Sequence, residues 1–136
     1  MNPVYLLDTN TVSYILTGRS PVARKMLDES LEESAISVIT EAELRYGLAR
    51  KQGAHKLTTA VERFLEVVAV LPWDSGAAKA YALMRAKMTA RGKTLSAMDM
   101  MIAAQASAVG ACLVTSDRAF EQVDGLFACV NWATDL

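Results

Sequence analysis

The sequence predicts an α/β fold, with a small, mainly parallel sheet flanked by helices in one domain spanning residues 1–136. Short apolar runs alternate with longer stretches of helical spacing along the chain. Glycine, proline and helix-capping residues stand at the joints between them. The helical stretches outnumber the apolar runs, which keeps the expected sheet small.

Residues 4–7 are apolar, end at Asp8 and read as a buried strand. Residues 10–16 are helix-like, and Gly18 stops them. Pro21 opens a second helix, PVARKMLDESL, with Val22, Met26 and Leu27 available for one face. Proline in a first helical turn gives up no internal hydrogen bond. Residues 35–39 (AISVI) are β-branched and apolar and predict a second strand. Thr40 starts the next helix, TEAELRYGLARK. Another begins near Ala54, with Leu57, Val61, Phe64 and Leu65 at helical spacing. Residues 67–71 (VVAVL) predict a third strand, stopped by Pro72. Asp74 begins a long Ala- and Met-rich helix ended by Gly92, and Ser96 begins one ended by Gly110. Residues 111–115 predict a fourth strand, and a fifth closes near Val130.

Of the 136 residues, 52% are hydrophobic and 21% charged, a composition that fills a core and excludes a disordered chain. The net charge of −1 is not that of an ordinary nucleic-acid binder, which is basic. Four carboxylates gathered around a cation, however, leave the remaining surface net positive. Cys112 and Cys129 form neither a CxxC pair nor a zinc-spaced cluster and read as buried thiols, compatible with a reducing cytoplasm. The start, MNPVYLLDTN, lacks the basic and apolar regions of a signal peptide. No stretch of about 18 uncharged apolar residues offers a membrane span. A cytoplasmic protein without membrane attachment is expected.

Parallel sheets bind ligands beyond the carboxyl ends of their strands. Asp8 directly follows the first strand, Glu43 lies in the first turn after the second, and Asp117 lies just past the fourth. Asp99 opens the helix that leads into the fourth strand, and a helix antiparallel to that strand starts at the same edge. All four acids therefore converge there. Each also has a structural use. Thr40-x-x-Glu43 matches a capping box, Ser96-x-x-Asp99 has similar spacing, and Asp8 and Asp117 are turn formers.

Clustered carboxylates repel unless a cation neutralises them. Mg²⁺ takes oxygen ligands and keeps several waters, and metal-held carboxylates support phosphodiester hydrolysis. Asp8 and Asp99 are the candidate direct ligands. Glu43 and Asp117 are candidates for binding through water or placing the attacking water. Asn10, Thr115 and Ser116 are candidates to hydrogen-bond these carboxylates from behind.

LLDTNTVSYILTGRSP, SVITEAELRYGLAR, the LPWD segment, MDMMIAAQA, LVTSDRAFEQV and a closing NW together resemble the PIN-domain toxins of VapC type, from about residue 4 to 132. The resemblance implies a Mg²⁺- or Mn²⁺-dependent endoribonuclease directed at structured RNA, transfer or ribosomal. It makes the whole chain, 1–136, a single PIN domain and the toxin of a type II toxin–antitoxin pair. The family's acids fall on Asp8 in LDTN, Glu43 in AEL, Asp99 in MD, and Asp117. At the last position many relatives carry Asn-Asn in a slightly longer loop, where this chain reads TSDRAF. Glu41, two residues from Glu43, points about 200° around the helix. The resemblance also implies a homodimer and a cognate VapB-type antitoxin, whose C-terminal segment packs along a toxin groove and obstructs the active site.

Met84, Met88, Met98, Met100 and Met101 cluster near the site, as core filler or as an adaptable surface. His55 is the only histidine, which leaves a two-histidine ribonuclease mechanism without its second group. No serine has a His/Asp partner set. Arg45, Arg85 and Arg118 lie nearest the motifs and are the candidate RNA contacts. Two other readings compete. LDTNT loosely resembles the DxDxT motif of haloacid-dehalogenase-like phosphatases, but Asn10 replaces the second Asp and removes its proton donor. The chain could also be a catalytically silent PIN-fold interaction module, which the assignable acids oppose.

Overall fold

The computed structural model describes residues 3–123 and 125–136. Its strands are β1 (Tyr5–Leu7), β2 (Ser34–Ser37), β3 (Ala69–Leu71), β4 (Cys112–Val114) and β5 (Cys129–Val130). They form one sheet in the order β3-β2-β1-β4-β5, and every neighbouring pair is parallel. The helices are α1 (Thr9–Leu16), α2 (Pro21–Ser30), α3 (Val38–Arg50), α4 (His55–Val67), α5 (Ser75–Ala90) and α6 (Ala97–Val109). The chain lays β2 and β3 to one side of β1, then returns to lay β4 and β5 on the other. Strand order thus reverses between β1 and β4, the place where open parallel sheets take their ligands.

Successive residues of a strand face opposite sides. Leu6, Ala35 and Leu113 pack with Met84, Met88, Met100 and Ile102 of α5 and α6. Leu7, Ile36 and Val114 pack on the other face with Val12, Leu27, Val61 and Phe64 of α1, α2 and α4. Three of the five clustered methionines are therefore core, while Met101 is half-buried and Met98 is exposed. In α2 the buried side chains are Ala23 and Leu27, and Val22 and Met26 face solvent rather than joining them.

The side chains of Asp8, Ser20, Asp74 and Ser96 cap α1, α2, α5 and α6, each accepting from the N–H three residues on. Gly110 closes α6 in the left-handed conformation, with φ of 71°. The β2–α3 joint differs from the sequence expectation. The Ser37 hydroxyl accepts from the Ile39 N–H at 3.0 Å, so α3 starts at Val38 and takes two β-branched residues from the expected strand. Glu43 consequently sits in the second turn, and Thr40 is not the cap of a capping box. The thiols are also less buried than expected: Cys129 is exposed because β5 is an edge strand, and Cys112 at the start of β4 is half-buried. Among the described residues no helix is long and apolar enough to cross a membrane.

Candidate functional site

Asp8 leaves β1 and caps α1, and only 3% of it is exposed. Its N–H donates to the Val114 carbonyl at 3.0 Å, which carries the β1–β4 ladder one residue past the strands. Its Oδ1 accepts from the Thr11 N–H at 2.9 Å. Burial raises the Asp8 carboxyl above the ordinary carboxylate range. Hydrogen bonds from the Thr115 hydroxyl and the Thr11 N–H oppose this, and the charge of Asp99 adds to it.

Asp99 is the third residue of α6 and half-buried. Its N–H donates to the Ser96 hydroxyl at 3.2 Å, so the Ser96 half of the expected capping pattern is formed. The Asp99 carboxylate is close enough to Asp8 to repel it.

The other two acids are held by polar neighbours. The Thr9 hydroxyl donates to Glu43 Oε1 at 2.6 Å, and the Thr9 and Thr40 hydroxyl oxygens lie 3.2 Å apart. Asp117 Oδ1 accepts from the Ala119 N–H at 2.9 Å, capping the short 3-10 turn Arg118–Val123. The Asp117 N–H donates to Thr115 Oγ1 at 3.1 Å, so Thr115 stands between Asp8 and Asp117. Asp117, Ser116, Arg118 and Asn131 line a hollow of about 390 Å³. Asn10 is exposed and shares another hollow, about 200 Å³, with Thr9 and Glu43. Among the described residues, no three Asp, Glu, His or Cys side chains stand close enough to hold a metal ion together. The structure thus brings the charge of Asp99 within reach of Asp8, while Glu43 is tied to Thr9 and Asp117 to Thr115 and Ala119.

A PIN-domain model matches residues 5–126. The chain belongs to the PIN-domain family, among its VapC-type members. It is 30% identical to the tRNA(fMet)-specific endonuclease VapC of Shigella flexneri, over 90% of this chain and 93% of that protein. It is also 30% identical to ribonuclease VapC2 of Haemophilus influenzae, over 94% and 97% of the two chains. The DNA-bound VapBC structure from Salmonella typhimurium superposes with a TM-score of 0.88 at 29% identity, covering 96% of this chain and 98% of the matched one. This family displaces the haloacid-dehalogenase-like alternative.

The donor chemistry of this PIN domain fits a hard divalent cation. Mg²⁺ is commonly held by one or two carboxylates plus substrate phosphate and water, not by an all-protein cage. Asp8 and Asp99 supply such a pair, and their mutual repulsion is what a cation relieves.

Sequence reasoning missed Thr9, Thr11 and Thr40. Thr9 stands beside Asp8 in LDTN, but its use depends on how α1 packs against α3. The three arginines have different surroundings. Arg45 is engaged with Glu41 at 2.7 Å and Glu62 at 3.0 Å on the outer side of α3. Arg118 is exposed, 3.8 Å from Glu121. Arg85 donates to the Tyr81 hydroxyl at 2.8 Å.

Proposed function

We propose that this VapC-type chain is the toxin of a toxin–antitoxin pair and an endoribonuclease that hydrolyses phosphodiester bonds in structured RNA, transfer or ribosomal. One observation carries the reading. The buried Asp8 carboxylate stands at the point where strand order reverses and feels the charge of a second carboxylate, Asp99, with no cationic side chain among the hydrogen-bond and charge partners that set its ionisation.

In this reading Asp8 and Asp99 hold Mg²⁺, or Mn²⁺. When bound, the ion neutralises phosphate charge and makes water a better nucleophile at neutral pH. Thr11 fixes the Asp8 carboxylate through its N–H, and the Thr115 side chain beside it favours the charged form. Thr9 holds Glu43 beside the first turn of α1, where its free carboxylate oxygen orients a water and accepts its proton. Asp117 is braced by the Ala119 N–H and faces the incoming strand from the β4 side. Asn10 and Ser116 border the same edge as polar contacts for substrate.

The partner in this reading is an antitoxin of the VapB type, supported by the VapBC assembly from Salmonella typhimurium. A homodimer of the toxin completes the expected assembly. The test is incubation of the partner-free protein with total cellular RNA in Mg²⁺, Mn²⁺ or EDTA. Discrete fragments in metal alone support the reading, and no cleavage in any metal counts against it.

A second reading is favoured by the lack of three grouped ligands among the described residues. The chain is then a catalytically silent interaction module. A metal-free sample whose melting temperature is unmoved by millimolar Mg²⁺ or Mn²⁺ supports that reading, because an ion bound to the folded state raises stability by mass action.

A further inference from the structure

Residues 75–98 carry Lys79, Arg85, Lys87, Arg91 and Lys93 and not one carboxylate. This stretch forms α5 and the turn into α6, and it ends one residue before Asp99. Five of the chain's fourteen lysines and arginines thus fall in the stretch that leads into Asp99. Between α5 and the start of α6 lies a hollow of about 370 Å³, lined by Tyr81, Arg85, Thr89, Lys93, Thr94 and Met100 among others. Among the described residues, neither Arg85 nor Lys93 has an ion-pair partner.

The hollow is braced. The Trp73 indole N–H donates to the Met101 carbonyl of α6 at 3.0 Å. Its ring meets Tyr81 edge-on at 6.1 Å between centroids, and Tyr81 accepts from Arg85. The Arg85 guanidinium lies 5.9 Å from the Tyr81 ring centroid. On the other wall the Lys93 N–H donates to the Met88 carbonyl at 2.9 Å, just after Gly92 turns the chain with φ of 68°. An arginine held in place loses less freedom when its fork meets an oxyanion, and a lysine adds a point charge without strict geometry. The hydroxyl of Thr89 supplies a further donor.

We propose that this hollow is a phosphate-binding subsite for the RNA strand, engaging a backbone phosphate outside the one positioned at Asp8 and Asp99. The inference rests on the ribonuclease reading above. The hollow includes Ala97 and Met100 from the first turn of α6, the turn that carries Asp99, so it opens at the same end of that helix as the acid. Contacts here fix the register of the strand without reading bases.

The test is equilibrium binding of end-labelled bulk transfer RNA in EDTA, which blocks cleavage, between 50 and 200 mM KCl. Wild type is compared with Arg85→Gln/Lys93→Gln and with Lys25→Gln/Lys56→Gln, which removes two charges elsewhere. The subsite predicts a log–log salt slope shallower by about 0.7–0.9 per lost phosphate contact. It also predicts about tenfold weaker binding at low salt for the first variant, with the control double variant at wild-type values. In metal, KM rises for Arg85→Gln/Lys93→Gln while kcat is kept, and Arg85→Lys recovers part of the affinity. Wild-type slope and affinity in Arg85→Gln/Lys93→Gln, from a protein that still cuts RNA, overturn the subsite and leave the ribonuclease reading standing. A wild type that neither binds nor cuts overturns both.

Discussion

Asp8 and Thr115 continue the Leu7–Val114 register pair one residue beyond β1 and β4, and the Thr115 side chain beside Asp8 lowers the carboxyl that burial raises. The parallel ladder itself sets this relationship. The Asp8 N–H reaches the Val114 carbonyl, while the Thr115 N–H reaches the Val130 carbonyl at 2.9 Å. A partner that orients a metal ligand commonly matters 10- to 100-fold in affinity. Thr115→Val is therefore expected to weaken Mn²⁺ binding by about that factor, and Thr115→Ser to retain it. Calorimetric titration of metal-free samples checks this, and wild-type affinity in Thr115→Val contradicts it.

The pH dependence of metal-free stability follows from Asp8. Burial raises its carboxyl above the ordinary value, so in that window the folded state binds more protons than the unfolded one. Stability contributed by protonated Asp8 is present below the unfolded value and is lost as pH rises through the folded one. Asn also caps helices, so Asp8→Asn keeps the bond to Thr11 and removes the buried charge. At pH 7 the metal-free variant should melt above metal-free wild type, with the gap closing in acid. Mg²⁺ should narrow the gap by stabilising wild type alone. Thermal melts across pH decide it, and a variant that melts lower at pH 7 contradicts it.

The methionines separate core from surface. Met88 has no exposed surface, and Met98 is 44% exposed. Met88→Ala should cost about 2–5 kcal/mol through the cavity it leaves. Met98→Ala should stay within about 0.5 kcal/mol. Urea unfolding measures both, and equal losses at the two positions contradict the assignment.

Near the end of the chain, Asp135 accepts from the Ser20 hydroxyl at 2.5 Å and from the Val22 N–H at 3.3 Å, tying the C-terminus to the start of α2. The Ser20 hydrogen bond holds the Asp135 carboxyl below its ordinary value. Its stabilising effect is therefore present above the unfolded value and lost as pH falls through the folded one. Asp135→Ala should lower the melting temperature at pH 7 and cease to differ from wild type at strongly acidic pH. A pH-independent difference contradicts this assignment.

Element order, the parallel sheet and the helix caps at Asp74 and Ser96 were legible because spacing, capping chemistry and glycine stops are local signals. The α2–β2–α3 region was harder. Val38 and Ile39 favour a strand by propensity, yet the Ser37 cap draws them into α3. Strand and helix direction put all four acids at one edge; the structure brings the charge of Asp99 to Asp8, and among the described residues no third acid joins them closely enough to share a metal ion. The holding of Glu43 by Thr9 was not legible in the sequence, because it joins two helices 34 residues apart in sequence. Exposure of Cys129 was hidden for a related reason: nothing local in ACV marks an edge strand.

In the proposed reaction Asp8 works through a divalent ion on RNA. The most direct test incubates purified, partner-free wild type and Asp8→Asn with total cellular RNA in Mg²⁺, in Mn²⁺ and in EDTA. Wild type should give discrete fragments in metal, and neither the variant nor any reaction in EDTA should give them. Identical fragments from both proteins, or cleavage that persists in EDTA, contradict the proposed reaction.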